Sequence, residues 1–209
     1  MPFQPDAWTT GDVVVNAKGG KSCAIACAGE TPKFRFATPE NPIYSPYGAS
    51  SWDIGASRLN LDFVVNDDLR TFLTNLDIWA KQTLKENSIK FFGKKLKEVD
   101  SIYVSCIKQH AKGGIVYPDT CRCKLNTHGV RACRFWDEKH NKIEQPNIEN
   151  VPCVPLVEIR GFWFNTNSVG LSLEISDLLC KEVVEKASPW AIQKGNDILL
   201  SGFDVFARK

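Results

Sequence analysis

The 209-residue sequence predicts a mainly β, α+β fold: a small barrel or sandwich with one major helix and loop elaborations, in a single domain spanning 1–209. Three observations carry this. Short runs that alternate apolar and polar residues recur between turn signals. One stretch, residues 67 to 86, places apolar residues at helical spacing. No internal repeat or low-complexity segment divides the chain.

Residues 1–56 read as an N-terminal hairpin and loop. In "GDVVVNAKGGKSCAIACAG" two β-prone runs flank Gly19-Gly20, which suits a tight turn needing positive φ. "TPKFRFATPENPIYSPYGASS", residues 31 to 51, is a short strand and then a proline-rich surface loop. "SRLNLDFVV" puts Leu59, Leu61 and Phe63 on one face and Asn60 and Asp62 on the other, a half-buried strand.

Asn66 follows as an N-cap, with Asp67 and Asp68 complementing the first helical turn. Leu69, Phe72, Leu73, Leu76, Trp79, Ala80 and Leu84 then make the apolar stripe of a helix over 67–86. "SIYVSCI" (101–107) reads as a strand. "TCRCKLNTHGVRACRFWD" (120–137) reads as a hairpin around His128-Gly129, and 154–176 as a second hairpin. A short helix over 176–187 and a last strand over 197–207 complete the expectation.

Apolar content of 43% and charged content of 24% are those of a globular protein able to bury a core without staples. No apolar run is long enough for a membrane helix, so no membrane association is expected. "MPFQPDAWTTGD" lacks the basic region and apolar run of a secretory leader. The eight cysteines are therefore expected as reduced thiols in a cytoplasmic or nuclear protein, not a secreted one.

Several chemistries find little support. "AKGGKS" suggests a phosphate loop, but Val15 stands where the first glycine belongs. Cys121 and Cys123 are one residue apart on a strand, a spacing that suits buried thiols better than zinc. His110, His128 and His140 form no paired motif, and no nucleophile elbow exists. Asp62, Asp67 and Asp68 are the only tight acidic group near a strand end, and helix capping accounts for the latter two. No enzyme, cofactor or metal is expected.

Charge distribution is more informative. Residues 81 to 134 carry twelve Lys or Arg against four Asp or Glu, a local surplus of +8 in a chain of net charge +2. "IKFFGKKLK" sets Lys90, Lys94, Lys95 and Lys97 around Phe91 and Phe92. "CRCKLNTHGVRACRFW" sets Arg122, Lys124, Arg131 and Arg134 beside Phe135 and Trp136. Cations that neutralise phosphates and rings that stack on unpaired bases are what a single-stranded nucleic acid requires.

"VEIRGFWF" adds a question of phase. With Val157, Ile159, Gly161 and Trp163 inward, Arg160, Phe162 and Phe164 lie on an open sheet face. A bulge at Gly161 exchanges the faces, making Phe162 and Phe164 core and exposing Trp163. The candidate contacts are Lys90, Lys94, Lys95, Lys97, Arg122, Lys124, Arg131, Arg134 and Arg160 for backbone, and Phe92, Trp136, Phe162 and Phe164 for stacking.

The pattern "VEIRGFWF … GLSLEI", with "NSIKFFGKKL" after a helix and "YPDTCRCKL" beyond it, resembles viral single-stranded DNA-binding proteins of the OB-fold type. These include phage replication proteins and relatives in large DNA viruses of eukaryotes. The resemblance covers roughly residues 57 to 180, judged by the order of elements. It implies a five-stranded OB-like barrel with a helix between strands, and a setting in DNA replication, repair or recombination at a virus replication site. The implied partners are single-stranded DNA, with RNA satisfying the same chemistry, and replication proteins. Phage members usually end in an acidic tail, whereas this chain ends "GFDVFARK". The competing expectation is a β-sandwich structural or virion protein with a basic docking patch.

Overall fold

The computed structural model describes residues 7–17, 19–50 and 56–181. Among them, thirteen strands join in one sheet and two helices pack on one of its faces. In chain order these are β1 (Trp8–Val15), β2 (Lys21–Cys27), β3 (Lys33–Arg35), β4 (Ile43–Tyr44), β5 (Ala49–Ser50) and β6 (Arg58–Val64). Helices α1 (Asp67–Glu86) and α2 (Ser88–Phe92) follow. Then come β7 (Tyr103–Val104), β8 (Ile107–Lys112), β9 (Ile115–Asn126), β10 (Arg134–Trp136), β11 (Lys142–Ile143), β12 (Pro152–Phe164) and β13 (Val169–Cys180). The main path runs β1-β2-β12-β13-β9-β6-β5 and is open at both ends.

Local signals place the early elements well. The Asn66 side chain accepts the Leu69 N–H at 2.9 Å and caps α1, whose stripe Leu69, Leu73, Leu76, Ala80 and Leu84 is buried. Asn16 and Gly20 close the β1–β2 turn, with Gly19 at φ +80°. On β6, Leu61 and Phe63 are buried as the alternation requires.

The helix-facing side of the sheet is apolar along its length. Leu61 pairs with Cys123 and Phe63 with Cys121 across β6–β9; Leu125 pairs with Ile175, and Ile175 with Val157. All of these are fully buried. Burial raises the thiol pKa of Cys106 well above the ordinary value, and a hydrogen bond with Cys123, then burial, does the same for Cys121.

Three expectations change. The stretch 101–107 is not one strand: Ser105 and Cys106 break it, because the buried Asp77 carboxylate of α1 accepts from Tyr103 Oη (2.7 Å), Ser105 Oγ (2.6 Å) and the Cys106 N–H (3.2 Å). The stretch 120–137 is not a hairpin. β9 and β10 both pair in parallel with β13, at Glu174–Ile175 and Asp177–Leu179 respectively. The loop between them is pinched shut by the Cys133 N–H on the Asn126 carbonyl at 2.8 Å, so β10 resumes the path of β9. The expected helix over 176–187 is strand as far as Cys180, since this segment pairs with β12 and β10. The remainder of that stretch, and the expected strand over 197–207, lie outside the described residues.

Candidate nucleic-acid interface

The phase of β12 decides which rings are available. Pairing with β13 slips between Ile159 and Gly161, a bulge that turns the strand over. Gly161 sits at φ +144°, and a methyl group there would overlap the Cys23 carbonyl oxygen of β2. Val157, Ile159, Phe162 and Phe164 therefore all face the helices. Phe162 and Phe164 are core residues rather than exposed stacking rings: they are 1% and 8% exposed and pack on Phe91 at 5.9 and 5.7 Å. Trp79 of α1 also stacks on Phe162 at 6.0 Å.

Phe92 belongs to the same cluster, edge-on to Phe164 at 5.7 Å, so it too packs on the core. Its neighbours Lys90, Lys94, Lys95 and Lys97 are accordingly on the helix side of the sheet. Lys90 donates to the Thr10 carbonyl at 3.1 Å and lies 3.7 Å from Asp12, while Lys94, Lys95 and Lys97 are exposed. The structure does not bring this group together with Arg122 and Lys124, which project from the opposite face because Cys121, Cys123 and Leu125 take the inner one.

On that opposite face a cleft of 150 Å³ opens between the β7–β8 junction and β9, β12 and β13. Its lining includes Asn60, Ser105, Lys108, Arg122, Lys124 and Trp163. Trp163 is the large ring that the bulge releases. Its Nε1–H donates to the Leu171 carbonyl at 3.1 Å, and the indole lies flat over Gly170. The ring is half-buried and held in place before any ligand arrives.

Three cations surround it, with Asp62 beside Arg122 and Lys108, and Glu174 across the ladder from Lys124. Arg122 forms a two-point ion pair with Asp62, at 2.8 and 2.6 Å. Burial raises the Asp62 pKa, but the Arg122 hydrogen bond and charge, with Lys108 and His110, outweigh it and hold the carboxyl below its usual range. Lys124 donates to Ser172 Oγ at 2.9 Å. Burial, then the nearby Arg58 charge, lowers the Lys124 pKa, and burial, then Arg122, lowers that of Lys108. These are cations held partly out of water beside other cations, an arrangement that an incoming anion relieves.

The same face continues at both ends. Toward the β8–β9 turn, His110 bonds Thr120 Oγ1 at 2.8 Å and pairs with Tyr117, and a further hollow is lined by His110, Tyr117 and Tyr47. Both tyrosines are exposed. Tyr47 is carried on a turn fixed by Ser45 Oγ donating to the Gly48 carbonyl at 3.3 Å. In the other direction, Arg131 approaches Glu174 at 3.7 Å. Arg134 and the Trp136 Nε1–H converge on Asp177 at 2.7 and 3.0 Å. Arg160 pairs with Glu158 at 2.8 Å, and Lys33 shares that carboxylate.

Lys108, Asn60, Tyr47, Tyr117 and Trp163 are the members of this face outside the sequence-derived set. Only Trp163 carried a signal, through the alternative phase of "VEIRGFWF". Lys108 figures only as one of the twelve cations of residues 81 to 134, apart from the two runs that mix cations with rings, and Tyr47 and Tyr117 also lie outside those runs.

No protein-family model matches the sequence, and no curated protein matches it. Among solved structures, gp2.5, a single-stranded DNA-binding protein encoded by bacteriophage T7, aligns over 79% of this chain and 97% of its own, with 10% identity and a TM-score of 0.52. In fold, the chain is similar to gp2.5. The single-stranded DNA-binding protein of bacteriophage Enc34 aligns over 88% of this chain and 92% of its own, at 10% identity and a TM-score of 0.44. The same protein in complex with single-stranded DNA gives 85% and 94%, at 12% identity and 0.43.

Proposed function

We propose that this protein binds single-stranded DNA with little sequence preference, without enzymatic activity, in DNA replication, repair or recombination. The strand lies on the sheet face opposite the helices, across Trp163, Lys124, Arg122 and Lys108. The observation that carries this is the pairing of a pre-set indole with half-buried lysines in one cleft, where burial outweighs the carboxylates Asp62 and Glu174 beside them. Phosphates satisfy the lysines and unpaired bases stack on the ring. The similar fold of gp2.5, a single-stranded DNA-binding protein, supports the same reading. On this view the open sheet is an elaborated oligonucleotide-binding architecture, with β-strand faces serving as the binding platform.

The test is fluorescence anisotropy of a labelled single strand of about 30 bases against its duplex, titrated with salt. Tight, salt-sensitive binding that prefers the single strand is expected. Absence of binding at low salt overturns the proposal and leaves the basic face as a docking surface for a protein.

A further inference from the structure

Beyond the cleft, at the Asn126 end of β9, lies a polar cavity of 420 Å³ lined by Ser57, Arg58, Asn126, His128, Val130 and Arg131. Asn126 is 6% exposed, and its side chain is oriented by a neighbour: the Arg58 Nε–H donates to Asn126 Oδ1 at 3.1 Å. That bond fixes the oxygen, so the other end of the amide is the Nδ2 donor. Among the described residues, Nδ2 has no hydrogen-bond partner. A buried donor left unpaired costs about 1–3 kcal/mol, and such a group in a native fold points to a missing acceptor.

The surroundings state what kind of acceptor fits. Arg58 forms no ion pair among the described residues, and Arg131 has only the loose 3.7 Å approach to Glu174, with half its side chain exposed. His128 is anchored by Nδ1 to Thr127 Oγ1 at 2.6 Å, and Thr127 donates onward to the Ala56 carbonyl at 3.1 Å. Thr127 Oγ1 therefore accepts from the imidazole, and Nδ1 carries the proton. Two guanidiniums on one polar cavity, with the Asn126 amide in its wall, match the oxygens of a phosphate group.

We propose that Arg58, Asn126 and Arg131 form a phosphate-binding pocket, with His128 completing its wall. Resting on the single-strand reading above, the pocket takes a phosphate of the bound strand as it leaves Lys124, which lies two residues before Asn126 on β9. That phosphate is either a backbone diester or a terminal monoester.

The experiment follows the Asn126 side-chain NH2 resonances by 15N–1H NMR in the full chain, during titration with inorganic phosphate and with sodium chloride at matched ionic strength. A saturable shift with phosphate that chloride does not reproduce is expected. Its loss in Arg58→Ala/Arg131→Ala, both exposed positions, is expected as well, with the rest of the spectrum retained. Short single strands with and without a 5′-phosphate form the second arm. Tighter binding of the phosphorylated strand assigns the pocket to a terminus and equal binding assigns it to the backbone, with the double variant losing about tenfold in either case. If Asn126 responds neither to phosphate nor to a strand that binds at Trp163, the pocket is refuted while the single-strand reading stands. If phosphate moves Asn126 but no strand binds, the pocket stands and the single-strand reading fails.

Discussion

The indole of Trp163 lies directly on Gly170, its cross-strand partner: a methyl group at Gly170 would come within 2.7 Å of Cζ2 and 2.9 Å of Cε2. The missing side chain lets the ring lie down on the sheet, and the Leu171 carbonyl holds it by its N–H. A stacking platform prepared in this way spends no entropy of its own when a base arrives. Trp163→Ala is expected to weaken single-strand binding roughly 5- to 150-fold, the value of about 1–3 kcal/mol for one stacked base. Gly170→Ala should weaken it less, by tilting the ring. Anisotropy gives the affinities, and an unchanged affinity in both variants removes Trp163 from the interface.

Phe162→Ala should behave in the opposite way. The ring is 1% exposed and packed between Trp79 and Phe91, so truncation is expected to cost about 3–5 kcal/mol of stability. Thermal unfolding measures this; a near-native melting temperature combined with lost binding would return the ring to the surface.

Gly161 and Gly129 both have positive φ but differ in surroundings. Nothing lies within 4 Å of a methyl group at Gly129, so Gly129→Ala carries only backbone strain, about 1–2 kcal/mol. Gly161→Ala forces β12 against the Cys23 carbonyl and the Ala24 Cα, and should yield little folded protein. Soluble yield and unfolding curves of the pair compare the two effects.

Charge placement predicts the salt dependence. Lys124→Gln should reduce the slope of log K against log salt by about 0.7, the share of one phosphate contact on a single strand. Lys94→Glu with Lys95→Glu should leave that slope unchanged, because those side chains sit on the helix side of the sheet. A flattened slope in the second variant would extend the interface around the molecule.

Lys108 and Lys124 have pKa values lowered from 10.5. Between the lowered value and 10.5 the folded protein binds fewer protons than the unfolded chain, so these two groups make stability rise with pH in that window. A bound phosphate favours their charged forms, so binding should take up protons there. Calorimetry in buffers of different ionisation enthalpy reads the uptake. Lys108→Arg with Lys124→Arg should abolish it, and uptake that persists in the double variant would place the titrating groups elsewhere.

The sequence by itself determined whatever depends on neighbours along the chain. Helix α1 was legible from Asp67 to Glu86 because its stripe, its cap and its first-turn acids are all local. The β1–β2 turn at Gly19-Gly20 and the inward Leu61 and Phe63 were legible for the same reason. The basic segment showed its composition but not its division, since Phe91 and Phe92 draw its lysines to one side while Cys121 and Cys123 send Arg122 and Lys124 to the other. Tertiary structure alone decided the face of each ring on β12. Both phases of "VEIRGFWF" satisfy alternation, and the choice rests on how closely the β2 backbone approaches Gly161. It also decided that β10 follows β9 along β13 instead of folding back, and that Lys108 meets Lys124 beside Trp163. Register and cross-strand contact join residues tens of positions apart, and no local pattern records which strand a given residue will lie against.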